Sequence, residues 1–121
     1  MLETEDLQFL AEVAFCGVSM GNMLPARKIF NGILVERPGH NAPLMGLAMS
    51  HYMVDEFEQA ETILLGIIKK EPTFDLAKAH LALTYLLDGR KAEAKPLLEE
   101  VKHNGNSMFM GMADELLEQI V

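Results

Sequence analysis

The sequence predicts an all-α protein made of three tandem helix–turn–helix units and a closing helix. Three observations point there. Residue types recur at a fixed spacing of 34, apolar residues within each unit recur at helical intervals, and Pro or Gly interrupts the chain where each helix should end. The repeat is clearest around Asp55–Pro72, DEFEQAETILLGIIKKEP. Ala60 maps onto Ala26 and Ala94, Ala48 onto Ala14 and Ala82, and Leu47 onto Val13 and Leu81. Leu64 maps onto Phe30 and Leu98, Ile67 onto Ile33 and Val101, Asp55 onto Gly21 and Gly89, and Pro72 onto Pro38. Agreement of so many columns in one register is not expected by chance, even in a chain rich in Ala and Leu.

The first unit spans about 7–40. Thr4 is placed to cap its first helix, with Glu5 and Asp6 in the first turn, where acids favour the helix dipole. Leu7, Leu10, Val13 and Ala14 give the buried stripe, and the helix runs to about Met20. Gly21-Asn22 supplies a turn. Pro25 sits in the first turn of the second helix, where its missing N–H costs little, and Ala26, Phe30, Ile33 and Leu34 form that helix's stripe. Pro38-Gly39 ends the unit.

The second unit, about 41–74, opens on Asn41 as a cap with Pro43 in the first turn. Leu44, Leu47, Ala48 and Tyr52 mark its first helix; Phe57, Ala60, Ile63, Leu64, Ile67 and Ile68 mark its second. Lys69 and Lys70 suit the helix C-terminus. The third unit, about 75–107, is expected to be capped by Thr73. It carries Ala77, Leu81, Ala82 and Tyr85, turns at Asp88-Gly89, and continues through Ala94, Leu97, Leu98 and Val101, with Pro96 about one turn into the helix. Residues 108–121 place Met112, Leu116, Leu117 and Ile120 on one side and Asp114, Glu115 and Glu118 on the other. A stack of helical units exposes the apolar flank of its last member, so this segment reads as the cap.

At 121 residues the chain fits one domain with a substantial core. Its net charge of −8 argues against binding nucleic acid or anionic membrane, which both call for a basic surface. The single cysteine, Cys16, leaves no internal disulfide, fits a reducing cytoplasm and reads as a buried thiol. MLETEDL lacks the basic and apolar segments of a signal peptide, and no apolar run approaches the roughly 18–20 residues needed to span a bilayer. A cytoplasmic protein without membrane insertion is expected.

No enzyme chemistry is indicated. His40, His51, His80 and His103 are scattered, with no HExxH and no Cys/His pair at ligand spacing; His51 and His80, on neighbouring helices, lack further ligands. Gly21-Asn22 and Gly105-Asn106 lack the context of a phosphate loop, and Asp55/Glu58 and Glu99/Glu100 read as solvated faces. No catalytic residue, metal site or cofactor is assigned.

In its 34-residue register the chain resembles the tetratricopeptide repeat (TPR) family over nearly its whole length. That resemblance implies a right-handed superhelix, with Ala14, Ala48, Ala82, Ala26, Ala60 and Ala94 as the small residues that let paired helices approach. Gly17 and His51 depart from the family where an aromatic is common, Asp55 where Gly is usual, and Lys78 breaks a column filled by Leu10 and Leu44. It also implies a concave groove lined by the first helix of each unit. The lining columns are Gln8, Ala11, Phe15 and Val18; then Ala42, Met45, Met49 and Tyr52; then Leu76, Ala79, Leu83 and Leu86.

These columns carry no Lys, Arg or Asn of the kind that clamps a carboxylate in TPR proteins binding chaperone C-termini. The groove expected from Phe15, Val18, Met45, Met49, Tyr52, Leu83 and Leu86 is apolar and suited to an amphipathic helix anchored at i, i+3, i+4 and i+7. Met adds adaptability. The competing expectation is that the same residues are covered by the chain's own helices, by the cap or by a second copy. Within the family, the compact size, the apolar columns and the stretches LAEVAFCGVSMGNMLPARKIFNGIL and GRKAEAKPLLEEV resemble type III secretion chaperones, notably the chaperone of the needle subunit. This implies sequestration of the needle subunit's amphipathic helix, with a small helical co-chaperone alongside. The other reading is a TPR scaffold or assembly factor that self-associates or docks on a component of a membrane complex.

Overall fold

A computed structural model describes residues 3–104 together with 114, 115, 117 and 118. The described residues form helices and no strand: α1 (Thr4–Ser19), α2 (Met23–Glu36), α3 (Asn41–Tyr52), α4 (Phe57–Lys70), α5 (Asp75–Leu87) and α6 (Lys91–His103). Helix starts follow local chemistry. Glu3, not Thr4, precedes the first turn of α1, and its backbone N–H donates to the Asp6 carboxylate at 3.1 Å. Pro25 and Pro43 each occupy the third helical position, where no intrahelical N–H bond is lost. Asn41 is the first residue of α3 rather than its cap, and Phe74 rather than Thr73 precedes α5. α6 continues through Pro96.

The turn inside each unit repeats at the backbone. Asn22 N–H donates to Gly17 O at 2.8 Å, Glu56 N–H to His51 O at 2.9 Å and Arg90 N–H to Tyr85 O at 2.7 Å. The residue before each of these donors has positive φ: Gly21 at 85°, Asp55 at 63° and Gly89 at 77°. Asp55 thus departs from the residue type the turn favours, while the turn itself is preserved.

Each helix packs on its sequence neighbours. In addition α1 touches α3 and α3 touches α5, whereas among the described residues α2, α4 and α6 do not touch one another. The array therefore bends with α1, α3 and α5 on its inner side. Between the first and second units, the ring of Phe30 on α2 lies where a Cβ on Gly46 of α3 would stand. Phe30 is fully buried, so the ring has nowhere to retreat, and only Gly permits this approach.

The core runs along the array as three clusters. Leu7, Ala11 and Ile33 form one at the N-terminal end. Ala14, Val18, Ala26 and Phe30 form the next. The largest joins the second and third units through Met45, Ala48, Leu64, Ile67, Leu81, Tyr85 and Leu98. Val13, expected in the buried stripe of α1, is 43% exposed. Of the closing segment, Asp114, Glu115, Leu117 and Glu118 are helical, Leu117 packs on the large cluster, and Asp114 pairs with Lys102. Met112, Leu116 and Ile120 lie outside the described residues.

Candidate binding groove on the inner face

The inner sides of α1, α3 and α5 are contiguous, and the side chains that the register assigns to them divide into two groups. Val18, Met45 and Tyr52 are buried in the chain's own core. They form the floor and are not available as direct contacts. Phe15, Met49, Leu83 and Leu86 are half-buried and form the accessible lining. The expectation of a groove filled by the chain's own helices thus describes three of the seven residues and not the other four.

Three of the four lining residues are held from below by a core cluster. Phe15 meets Phe30 edge-on, with ring centroids 5.0 Å apart, so its orientation is set by the α1–α2 core. Met49 rests on the same cluster, and Leu86 and Leu76 rest on the cluster of the second and third units. Leu83 contributes to none of the three clusters and is half-buried on α5.

The floor carries one polar pair, and it is uncharged. Tyr52 Oη lies 2.9 Å from His80 Nδ1. Burial pushes the Tyr52 phenol up to about 12, so it stays protonated and donates. Burial pushes the His80 imidazole below its ordinary value, which favours the neutral ring with Nδ1 as acceptor. The bond ties α3 to α5 beneath the groove without placing a charge there.

At the N-terminal end of the inner face lies a cavity of about 490 Å³ between α1, the end of α2 and the start of α3. Its apolar wall comes from Leu7, Ala11, Ile33 and Pro43, and its rim from Gln8, Arg37 and His40. The groove columns name Gln8, Ala11 and Ala42 of this cavity but not the others: Ile33, Arg37 and His40 enter from α2 and the turn behind it, and Thr4, Leu7 and Pro43 stand on α1 and α3 outside those columns. The signal available in sequence was Arg37-Pro-Gly-His40, a turn with two basic side chains beside an otherwise uncharged face. A second hollow of about 550 Å³, bounded by His51, Glu58, Gln59, Thr62 and Ile63, is open, and Ile63 is its one apolar side chain.

The remaining candidates are engaged elsewhere or exposed. His51 Nδ1 lies 3.0 Å from Glu56 Oε1, and His80 is held by Tyr52, so the two histidines serve different contacts. Among the described residues no group of three His, Cys, Asp or Glu could hold a metal ion. Cys16 is exposed, not buried. Glu100 lies on a solvated face as expected, and from there accepts a 2.7 Å bond from the buried Lys78. Among the described residues no helix is long and apolar enough to cross a membrane.

No family model and no curated protein matches the chain. Solved structures do. PcrH from Pseudomonas aeruginosa is 18% identical with a TM-score of 0.83, over 99% of this chain and 95% of that one. The Yersinia enterocolitica type III secretion translocator chaperone SycD is 19% identical with a TM-score of 0.79, over 99% and 86%. SycD in complex with a peptide of the translocator YopD is 20% identical with a TM-score of 0.79, over 98% and 94%. At these identities the likeness concerns the fold, and the chain has the all-helical, TPR-like fold of these proteins.

Proposed function

We propose that this protein is a type III secretion chaperone that holds an apolar segment of a translocator protein on its inner face. The observation that carries the reading is the row of half-buried apolar side chains, Phe15, Met49, Leu83 and Leu86, on three contiguous helices above a closed, uncharged floor. Each large side chain fully removed from water is worth about 1.5–3 kcal/mol, so half-buried ones add less apiece and several must act together. The client segment presents its own apolar side chains along the row, as one face of an amphipathic helix does, and sets one into the cavity walled by Leu7, Ala11, Ile33 and Pro43.

The client favoured here is a translocator rather than the needle subunit, because the neighbour with a bound peptide carries a translocator peptide. Chemistry plays no part: the groove covers a segment that would otherwise aggregate and gives it up at export, in the cytoplasm. A scaffold working through the same face would not need a translocator segment.

The test is co-expression with translocator and needle-subunit candidates, followed by affinity measurement on purified pairs. Met49→Asp and Leu83→Glu are expected to weaken translocator binding at least about tenfold, each placing a charge in a desolvated contact, while circular dichroism stays unchanged. Equal binding of both variants, or capture of the needle subunit alone, would overturn the reading.

A further inference from the structure

The side of α1 that points away from the core is apolar, and the repeat register explains why. Phe9 is 64% exposed, Val13 43% and Met20 75%, and Cys16 between them is exposed. These residues follow i, i+4, i+7 and i+11 and form one stripe opposite Leu7, Ala11, Ala14 and Val18. A surface helix normally turns polar residues outward. Thirty-four positions on, Phe9, Val13 and Cys16 become Pro43, Leu47 and Ser50; a further step makes them Ala77, Leu81 and Thr84. In α3 Pro43 and Ser50 are fully buried and Leu47 half-buried; in α5 all three are buried. They are covered because α2 packs on α3 and α4 packs on α5. Phe9, Val13 and Cys16 are therefore the same seat, with no described helix on it; Met20, just past the end of α1, extends the stripe, although its register partners Val54 and Asp88 are exposed in their own units.

We infer that this seat takes a helix of another chain, with an apolar stripe bordered by Lys or Arg. The charge comes from α1 itself: its charged residues are Glu5, Asp6 and Glu12, with no base. Glu5 and Glu12 run along one edge of the stripe and Asp6 lies on the other. A second copy is the poorer occupant. Two α1 helices paired about a two-fold axis set an acidic edge against an acidic edge in either orientation, with no base on α1 to answer it, in a protein of net charge −8. The stacked units also have an ion-pairing side chain in the turn, Glu56 or Arg90, where the first unit has Asn22. Selection among helices therefore falls to the acidic edge.

The experiment uses Cys16 as a reporter. The probe is a synthetic amphipathic helix of about five turns with a leucine stripe and lysine borders; the controls have glutamate borders or a scrambled order. The lysine-bordered probe is expected to slow alkylation of the Cys16 thiol roughly tenfold, and neither control should. Phe9→Ser with Met20→Ser should abolish the protection without loss of helix content, since both side chains are exposed. Leu83→Glu, on the inner face, should leave it intact, which separates this seat from the groove. The inference is overturned if the Phe9/Met20 variant keeps the protection, or if the glutamate-bordered or scrambled helix protects equally. It is also overturned if the protein alone protects Cys16 as its concentration rises and sediments as a dimer.

Discussion

Arg27 and Glu61 stand 34 positions apart and make the same contact with the charges exchanged. Arg27 Nη2 meets Glu56 Oε1 at 2.6 Å, and Glu61 Oε2 meets Arg90 Nη1 at 2.6 Å. Glu56 and Arg90 are likewise one register apart, each just before the second helix of its unit. The first contact is extended by Ser50, whose Oγ and carbonyl accept from Arg27 at 2.8 Å. The second is extended by Tyr85, whose ring lies 4.4 Å below the Arg90 guanidinium and whose hydroxyl donates to Glu61 at 3.2 Å. Two successive interfaces thus use one geometry with opposite polarity. A double-mutant cycle should reveal it. Arg27→Glu should destabilise the fold, and adding Glu56→Arg should recover part of the loss, since the bonds to Ser50 are not restored. Arg27→Ala alone should cost about 1–3 kcal/mol through the stranded acceptors of fully buried Ser50. Additive effects in urea unfolding would refute the coupling.

Asp55 holds φ at 63° where the equivalent turns use glycine. The left-handed conformation strains a residue bearing a Cβ, though less for Asp than for most. Asp55→Gly should raise stability by about 0.5–1 kcal/mol, the strain relieved outweighing the added freedom of the unfolded chain. Asp55→Val should lower it. A thermal midpoint that falls for both would show that the Asp side chain, not the backbone, is what the turn needs.

Lys78 interrupts a column otherwise filled by Leu10 and Leu44, yet it is 6% exposed and bonded to Glu100 on α6. An ion pair so placed gives back in desolvation much of what it gains in attraction. Lys78→Leu should therefore be neutral or stabilising, by up to about 1–2 kcal/mol. Glu100→Leu should destabilise, because it leaves the ammonium unpaired between α5 and α6. Denaturant midpoints of the two variants should move in opposite directions or at least unequally; equal losses would contradict this account.

His80 gives the fold a pH dependence of fixed sign. Burial holds its folded pKa below the ordinary 6.5. Between the folded value and 6.5 the unfolded chain takes up a proton that the native ring refuses, so stability rises with pH across that window and levels off above it. Protonation at Nδ1 would also end its role as acceptor for Tyr52. His80→Asn should flatten the slope just below pH 6.5. The Glu56 carboxylate, lowered by its bonds to His51 and then Arg27, acts at lower pH: its contribution is present above the ordinary carboxylate range and is lost as pH falls through its folded value. Unfolding curves at pH 5–7 for wild type and His80→Asn measure the first effect separately from the second.

The fold was legible because the TPR-like register places each small or apolar residue by its neighbours 34 positions away. Ala14, Ala26, Ala48, Ala60, Ala82 and Ala94 are all buried, as their columns require. The groove was less legible. Column position says that Val18, Met45 and Tyr52 point inward, not whether α3 and α5 approach closely enough to close over them. The cavity at Leu7, Ile33 and Pro43 was missed because Ile33 enters from α2, while Leu7 and Pro43 stand on α1 and α3 beside the groove columns rather than in them. Val13 and Cys16 were misplaced for a different reason: their partners in the register are buried by a preceding helix, and α1 has none among the described residues.

Units one and three are joined only through unit two: among the described residues neither α1 nor α2 reaches α5 or α6. A chain wired in that fashion can unravel piecemeal, shedding a terminal hairpin while the remainder stays folded. Amide exchange should then be fastest at one extremity and slowest in α3 and α4, the pair with neighbours on both sides.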